Sequence, residues 1–247
     1  PPRSTLFPYT TLFRSTPDEL IKLLNISHLP PQHFSTLKQF IYNHMDLFSK
    51  NDLDVGWVKN FETKVEVENI RDVSMRYQPI PKNVRDRVKN ILDTYRPKGI
   101  IGYCDDGNPV VSNIICLKKK GGKNCRLVFD SRLINKVAVK AKTYYSNIQE
   151  MLRNLPISSE FYCCLDLSSS YYSLSLHRDS RRYFAFYDEA NMLNCYHRLP
   201  MGYCNAHIEL SKVLHGLFPD RTGLMIYMDD ILLDRKSTRL NSSHSEI

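Results

Sequence analysis

Apolar residues recur along the chain at two spacings, and the switches between them outline its elements. Thr16-Pro17-Asp18-Glu19 reads as a helix start: a Thr cap, Pro at the first helical position and Glu three residues after the cap. Leu20, Ile21, Leu23 and Leu24 supply its apolar face. Pro30-Pro31 breaks the chain, and Phe34, Leu37, Ile41, His44 and Phe48 then fall at helical spacing, which makes His44 a helix-face residue rather than a ligand. Residues 61–69 (FETKVEVEN) alternate as a strand does. RYQPIP (76–81) is an extended entry to a basic helix with Val84, Val88, Ile91 and Tyr95 on one side, ended by Pro97 and Gly99.

Further on, residues 110–117 (VVSNIICL) and 125–129 (CRLVF) flank Lys118–Lys120 and Gly121-Gly122, the pattern of a β-hairpin with a cationic tip. Ser146 and Gln149 form a second capping pattern, opening a short helix with Ile148, Leu152 and Leu155. Residues 161–165 (FYCCL) run apolar without a break, as expected of a strand buried on both faces. The triplets LMI (224–226) and ILL (231–233) bracket Tyr227-Met228-Asp229-Asp230. Helices and strands mix without strict alternation, which places the chain in the α+β class.

Composition narrows the picture. The 247 residues are 42% hydrophobic, enough for a sizeable core in one or two domains. No apolar run approaches bilayer length and no signal-peptide pattern opens the chain, so a cytoplasmic protein without a membrane partner is expected. Of the 7 cysteines none forms a C-x-x-C pair and several sit in apolar runs, so reduced, buried thiols are expected rather than disulfides or zinc. Residues 3–15 (RSTLFPYTTLFRS) and 234–244 (DRKSTRLNSSH) resemble translated sequencing-adapter DNA, and segments 1–15 and 234–247 are set aside as adapter-like. The net charge is +8, of which Arg3 and Arg14 supply +2 and Arg235, Lys236, Arg239 and Glu246 a net +2, leaving 8 − 2 − 2 = +4 over residues 16–234. That balance is compatible with a phosphate-rich partner without specifying one.

The candidate chemistry lies in carboxylates at strand ends. Adjacent Asp229 and Asp230 in a hairpin turn repel each other and are best tolerated beside a cation, although a solvated turn also accommodates them. Asp166 closes the apolar run FYCCL, where a carboxylate needs solvent, a hydrogen-bond partner or a metal. Two such strand ends, 229 − 166 = 63 residues apart, can lie side by side in one sheet. Paired hard oxygens suit Mg²⁺, and two ions about 3.5–4 Å apart can serve an in-line displacement. No Ser-His-Asp order, H-E-x-x-H, D-[ST]-G or G-x-x-x-x-G-K-[ST] pattern offers a rival chemistry.

The order of these motifs resembles the reverse transcriptases of retroviruses and, more closely, of gypsy-type LTR retrotransposons. Asp166 with Tyr171 is similar to the first palm motif, Leu199-Pro200-Met201-Gly202 with Asn205-Ala206 to the second, and YMDD (227–230) to the third. KKKGGKNCRLVFDSRLIN (118–135) resembles the fingers motif, and the similarity runs over roughly 34–233 in one order. The resemblance implies a fingers-and-palm polymerase without a thumb. It implies 16–60 as a helical linker, 61–145 as mainly fingers and 146–233 as mainly palm, with 176–197 able to return to the fingers.

Implied too are two Mg²⁺ ions, with Mn²⁺ as a substitute, at Asp166, Asp229 and Asp230, the last supplying charge more than direct ligation. Arg126 and Lys119, or Lys120 beside it, would grip the triphosphate; Leu167, Tyr171, Met201 and Gly202 would contact the nucleotide, Tyr171 lying under the sugar. The partners implied are a primed RNA or DNA template and dNTPs. The parent polyprotein would carry protease, ribonuclease H and integrase, and would work in the cytoplasm or within virus-like particles. Departures are Ser170 where the family has Gly, His207, Leu210 and Ser211 in the template-side segment, and Met201 for the usual Gln or Phe. They keep open an alternative: a catalytically incompetent primer–template-binding fragment of a decayed retroelement. A different two-metal enzyme would not need Tyr171 or the L-P-x-G segment.

Overall fold

In a computed structural model of the chain, which describes residues 16–24, 30–51, 53–69, 76–105, 107–118, 125–141, 148–153, 161–219 and 223–235, the first helix starts where its sequence places it. Helix α1 (Pro17–Leu23) is capped by Thr16, whose Oγ1 accepts from the Glu19 amide at 3.3 Å. Helix α2 (Pro31–Asn43) ends one residue before His44, so only Phe34, Leu37 and Ile41 of the expected apolar face are helical. Of these Ile41 is buried, while Phe34 is exposed. The tip residues Lys119, Lys120, Gly121 and Gly122, the cap Ser146, Leu155 and the adapter-like stretches 3–15 and 236–244 lie outside the described residues.

The alternating stretch 61–69 forms little ladder. Strand β1 (Glu62–Thr63) pairs in parallel with a later strand, and Val67 bridges Ala138. The alternation still governs burial, since Thr63 and Val65 are buried between exposed neighbours. Helix α3 (Arg85–Tyr95) buries Val88, Leu92 and Tyr95 and ends as Gly99 adopts φ +63, which lets the Ile100 amide return to the Tyr95 carbonyl at 3.1 Å.

Strand β2 (Ile101–Tyr103) follows, then the hairpin β3 (Ile114–Lys118) and β4 (Cys125–Phe129), with Leu117 opposite Arg126. Helices α4 (Arg132–Val137) and α5 (Ile148–Arg153) precede β5 (Phe161–Asp166). Strand β6 (Ser175–Leu176) is the partner of β1. Strands β7 (Ala185–Tyr187) and β8 (Leu193–Tyr196) join β2 in an antiparallel sheet of order β2–β8–β7. Helix α6 (Ala206–Leu217) leads to β9 (Leu224–Tyr227) and β10 (Asp230–Arg235), which with β5 form an antiparallel sheet of order β5–β10–β9.

One hydrophobic core joins these sheets. Leu92, Ile101, Phe129, Leu174, Phe184, Phe186, Tyr196, Leu210 and Ile231 all belong to it. Leu210, unusual for the motif it occupies, is fully buried on the inward face of α6. The return between β7 and β8 is fixed by buried Asp188, which accepts from Arg96 at 2.8 Å, from Asn194 at 3.0 Å and from the Ala190 and Met192 amides at 3.0 and 2.8 Å. Nothing in the local sequence announces that network, because Arg96 lies 92 positions away.

Two expectations need correction. The run FYCCL is not buried on both faces, since Cys163 and Cys164 are exposed. Among the described residues β5 is an edge strand, and of Cys163, Cys164 and Leu165 only Leu165 packs on the core. Nor are the thiols generally buried: all seven are free, but only Cys195 is buried. At the start of the adapter-like stretch, Asp234 and Arg235 pair with Tyr162 and Phe161 and so continue the ladder. No helix among the described residues is long and apolar enough to cross a membrane.

Candidate active site

Register brings the strand-end carboxylates together. In the β5–β10 ladder Asp166 stands directly opposite Asp230, and Ile231 opposite Leu165. Opposed residues of an antiparallel pair project to the same face. Ile231, Leu165 and Ile226 therefore line the core side, while Asp166 and Asp230 share the outer side and are exposed. Asp229 occupies the two-residue turn between Tyr227 and Asp230, after Met228 at φ +55. A positive φ at the first turn position matches the right-handed twist of a hairpin, a position glycine usually fills. The Leu167 amide donates to the Asp229 carbonyl at 3.1 Å, locking the turn to the residue after Asp166.

The Asp229 carboxyl is half-buried and titrates above the ordinary carboxylate range. Burial is the main cause, and the charges of Asp230 and Asp166 add to it against an opposing backbone hydrogen bond. Among the described residues no three His, Cys, Asp or Glu side chains converge into a ready cage for a metal ion.

Two residues along the chain from Asp166 begins the lining of a cleft of about 520 Å³, to which Arg126, Ser168, Ser169, Tyr172, Met201 and Gly202 contribute but none of the three aspartates does. The structure thus assembles Arg126, Met201 and Gly202 from the expected nucleotide-contacting positions. Leu167 is buried and Tyr171 half-buried against the core, and Tyr172 rather than Tyr171 lines the cleft. Lys119 lies outside the described residues.

Two asparagines hold this cleft in shape, and the sequence reading gave them no role. Asn135, the last residue of the D-S-R-L-I-N stretch, donates to the Gly202 carbonyl at 2.8 Å and accepts from the Cys204 amide at 2.9 Å. Asn205 accepts from the Ala141 amide at 3.2 Å and donates to the Val139 carbonyl at 2.8 Å. The motif spacing signals both residues, but their partners, 67 and 66 positions away, appear only in the fold. Gly202 sits at φ +97, and a Cβ there would meet Ser131 Oγ at 3.2 Å, so its close approach is to the protein's own chain. Asn135→Ala is expected to cost about 0.5–1.5 kcal/mol by removing its bonds to Gly202 and Cys204, read as a lower urea midpoint. An unchanged midpoint would deny the latch.

An α+β chain with a carboxylate-ended antiparallel sheet beside a cleft and a basic hairpin has the reverse-transcriptase-like polymerase fold. It superposes on the prototype foamy virus protease–reverse transcriptase with a TM-score of 0.80 at 18% identity, covering 92% of this chain and 30% of that one. For a foamy viral protease–reverse transcriptase in complex with RNA/DNA hybrid the TM-score is 0.77 at 19% identity, with 90% and 29% covered.

In sequence the chain is 27% identical over 173 residues to the Gag-Pol polyprotein of walleye dermal sarcoma virus, covering 68% of this chain and 10% of the relative. It is 28% identical over 172 residues to that of feline leukemia virus, covering 65% and 10%. No protein-family model matches the chain. Its homologues are retroviral Gag-Pol polyproteins, as the motif order implied, and it spans about 10% of the length of these curated relatives.

Proposed function

We propose that the chain handles nucleotide and primer–template in an RNA- and DNA-directed DNA polymerase, adding dNTP units to a primer 3′-hydroxyl. The observation that carries this reading is the register that sets Asp166 against Asp230 with Asp229 in the adjoining turn. The donor set fits magnesium, or manganese in its place: all are hard carboxylate oxygens, and a cation would offset the burial, and then the charges of Asp230 and Asp166, that raise the Asp229 pKa. Held by Asp166 and Asp229, with Asp230 adding charge, two such ions would activate the primer hydroxyl and neutralise charge on the departing pyrophosphate.

The chain's own residues do the positioning. The Arg126 guanidinium, exposed on the cleft wall, takes the triphosphate, a role that the motif match also gives to Lys119. Met201 packs on the base or sugar, and Gly202, held by Asn135, keeps that wall fixed. Leu167 seats the strand end, and the place under the sugar, where a 2′-hydroxyl would clash, falls to Tyr171 on the motif match alone, since Tyr172 is the tyrosine that lines the cleft. The exposed face of β5 and β10 takes the primer end. Segments 61–145 and 146–233 act as fingers and palm. The parent polyprotein would also carry protease, ribonuclease H and integrase, and would act in the cytoplasm or in virus-like particles.

The test is Mg²⁺-dependent primer extension by a longer version of the chain that includes the rest of the polymerase, beside the 247 residues alone. Arg126→Ala should raise the KM for dNTP about tenfold or more, the worth of a charge-assisted contact, with little change in primer–template Kd. An unchanged KM removes Arg126 from the nucleotide site. No extension by the longer protein removes the polymerase reading. Extension by the longer protein, with salt-sensitive binding but no incorporation by the shorter chain, would make this segment a binding module on its own.

A further inference from the structure

A second cavity, of about 570 Å³, shares no lining residue with the cleft. Its wall carries Arg178, Arg181 and Arg182 from the 3₁₀ turn Arg178–Phe184, with His197 and Cys104 across from them and Tyr103 at the rim. We propose that this cavity binds single-stranded nucleic acid, taking a phosphate on the three arginines and a base against Tyr103.

The charge arrangement motivates an anion. Arg181 lies close enough to Arg198 and His197 for its charge to disfavour the charged form of each, burial being the larger cause for both. The acidic residues here are weak counterweights. Asp105 stands 3.6 Å from Arg178 with both side chains more than 80% exposed, and Asp179 stands 3.6 Å from His177. Arg182 is oriented by the Tyr183 hydroxyl at 2.9 Å and Arg181 by the Leu176 carbonyl at 3.3 Å, so the forks are held in place for phosphate. A bound cation at Cys104, Cys195 and His197 would sit among these guanidiniums and is disfavoured by them.

The aromatic selects a nucleotide unit over a bare phosphate. Tyr103 is 65% exposed, unusual for a large ring at a strand end, and Arg96 lies over it at 6.0 Å. An exposed ring beside a row of arginines is how a sequence-independent single strand is held, base on ring and backbone on charge. A cavity of this volume falls in the ~300–1,000 Å³ range of small-ligand sites and accommodates one such unit.

The experiment uses the full chain, a short oligothymidylate, and iodoacetamide labelling read thiol by thiol by peptide mass spectrometry. Half-buried Cys104 reports the cavity, and exposed Cys164, on the Asp166 face of β5, reports the primer face. The oligonucleotide should slow labelling of Cys104 several-fold. Arg178→Glu, at an exposed position that leaves the fold intact, and Arg181→Gln should each raise the concentration needed by about tenfold, with Cys164 protection unmoved. Unprotected Cys104, or protection indifferent to both substitutions, overturns the proposal. Protection by inorganic pyrophosphate equal to that by the oligonucleotide overturns the single-strand assignment in favour of a free-phosphate site. Loss of Cys164 protection alone counts against the polymerase reading and leaves this one standing.

Discussion

Asp229→Asn should make the chain more stable at neutral pH while removing primer extension. The folded-state pKa of Asp229 is raised, by burial first and then by Asp230 and Asp166. Between the unfolded and the folded pKa the native state therefore binds more protons than the unfolded one, and stability falls as pH rises through that window. Above the folded pKa the whole penalty remains, so at pH 7 the neutral amide relieves it. Below the unfolded carboxylate range both proteins carry an uncharged group and the difference closes. Thermal melts of the two proteins at pH 7 and at about pH 3 give the comparison.

The functional half of the prediction runs the other way. If Asp166 and Asp229 hold the ions, Mg²⁺ should raise the melting temperature of the wild-type chain by mass action and leave Asp229→Asn unmoved. Extension by the longer protein should fall about a thousandfold or more, equivalent to roughly 4 kcal/mol of lost charge stabilisation. Asp166→Asn should show the same loss. A melting temperature indifferent to Mg²⁺, with extension retained in both variants, would sink the metal assignment. Burying the Asp229 carboxylate, with repulsion from Asp230 and Asp166 added, is thus expected to be a stability cost kept for function.

Tyr196→Ala should destabilise the fold by about 3–5 kcal/mol, the usual cost of deleting a buried ring. Tyr196 is fully buried, with Phe129 and Phe186 rings at 5.5 Å and Tyr172 stacked at 6.3 Å. Domains of this size hold about 5–15 kcal/mol in all, so the change consumes a large part of that margin. Tyr196 and Tyr172 also form the floor of the cleft, so the cavity left behind should loosen the wall that carries Arg126 and Met201. Urea unfolding measures the first effect. A midpoint close to wild type would mean that the aromatic cluster is not the keystone its packing indicates.

Much of this was readable from the residues because it depends on short-range chemistry. The Thr16 cap, the basic face of α3 and the β3–β4 hairpin each follow from local spacing and turn preference, and the apolar triplets either side of YMDD place the last turn. The ordered motifs, taken with the family they resemble, also pointed to the carboxylates that the sheet then set side by side. The sequence could not say which face of β5 would be covered, since an apolar run reads alike whether its strand is central or at an edge. Cys163 and Cys164 are both exposed, one on each face of β5, because the core reaches only as far along the strand as Leu165. The roles of Asn135, Asn205 and Asp188 were hidden for a related reason. A polar side chain's partner is chosen by which distant backbone the core brings near, and these partners lie tens of positions away. Local pattern determined the elements and the candidate chemistry, while long-range packing alone decided which residues touch, which face is open, and how the cleft is held.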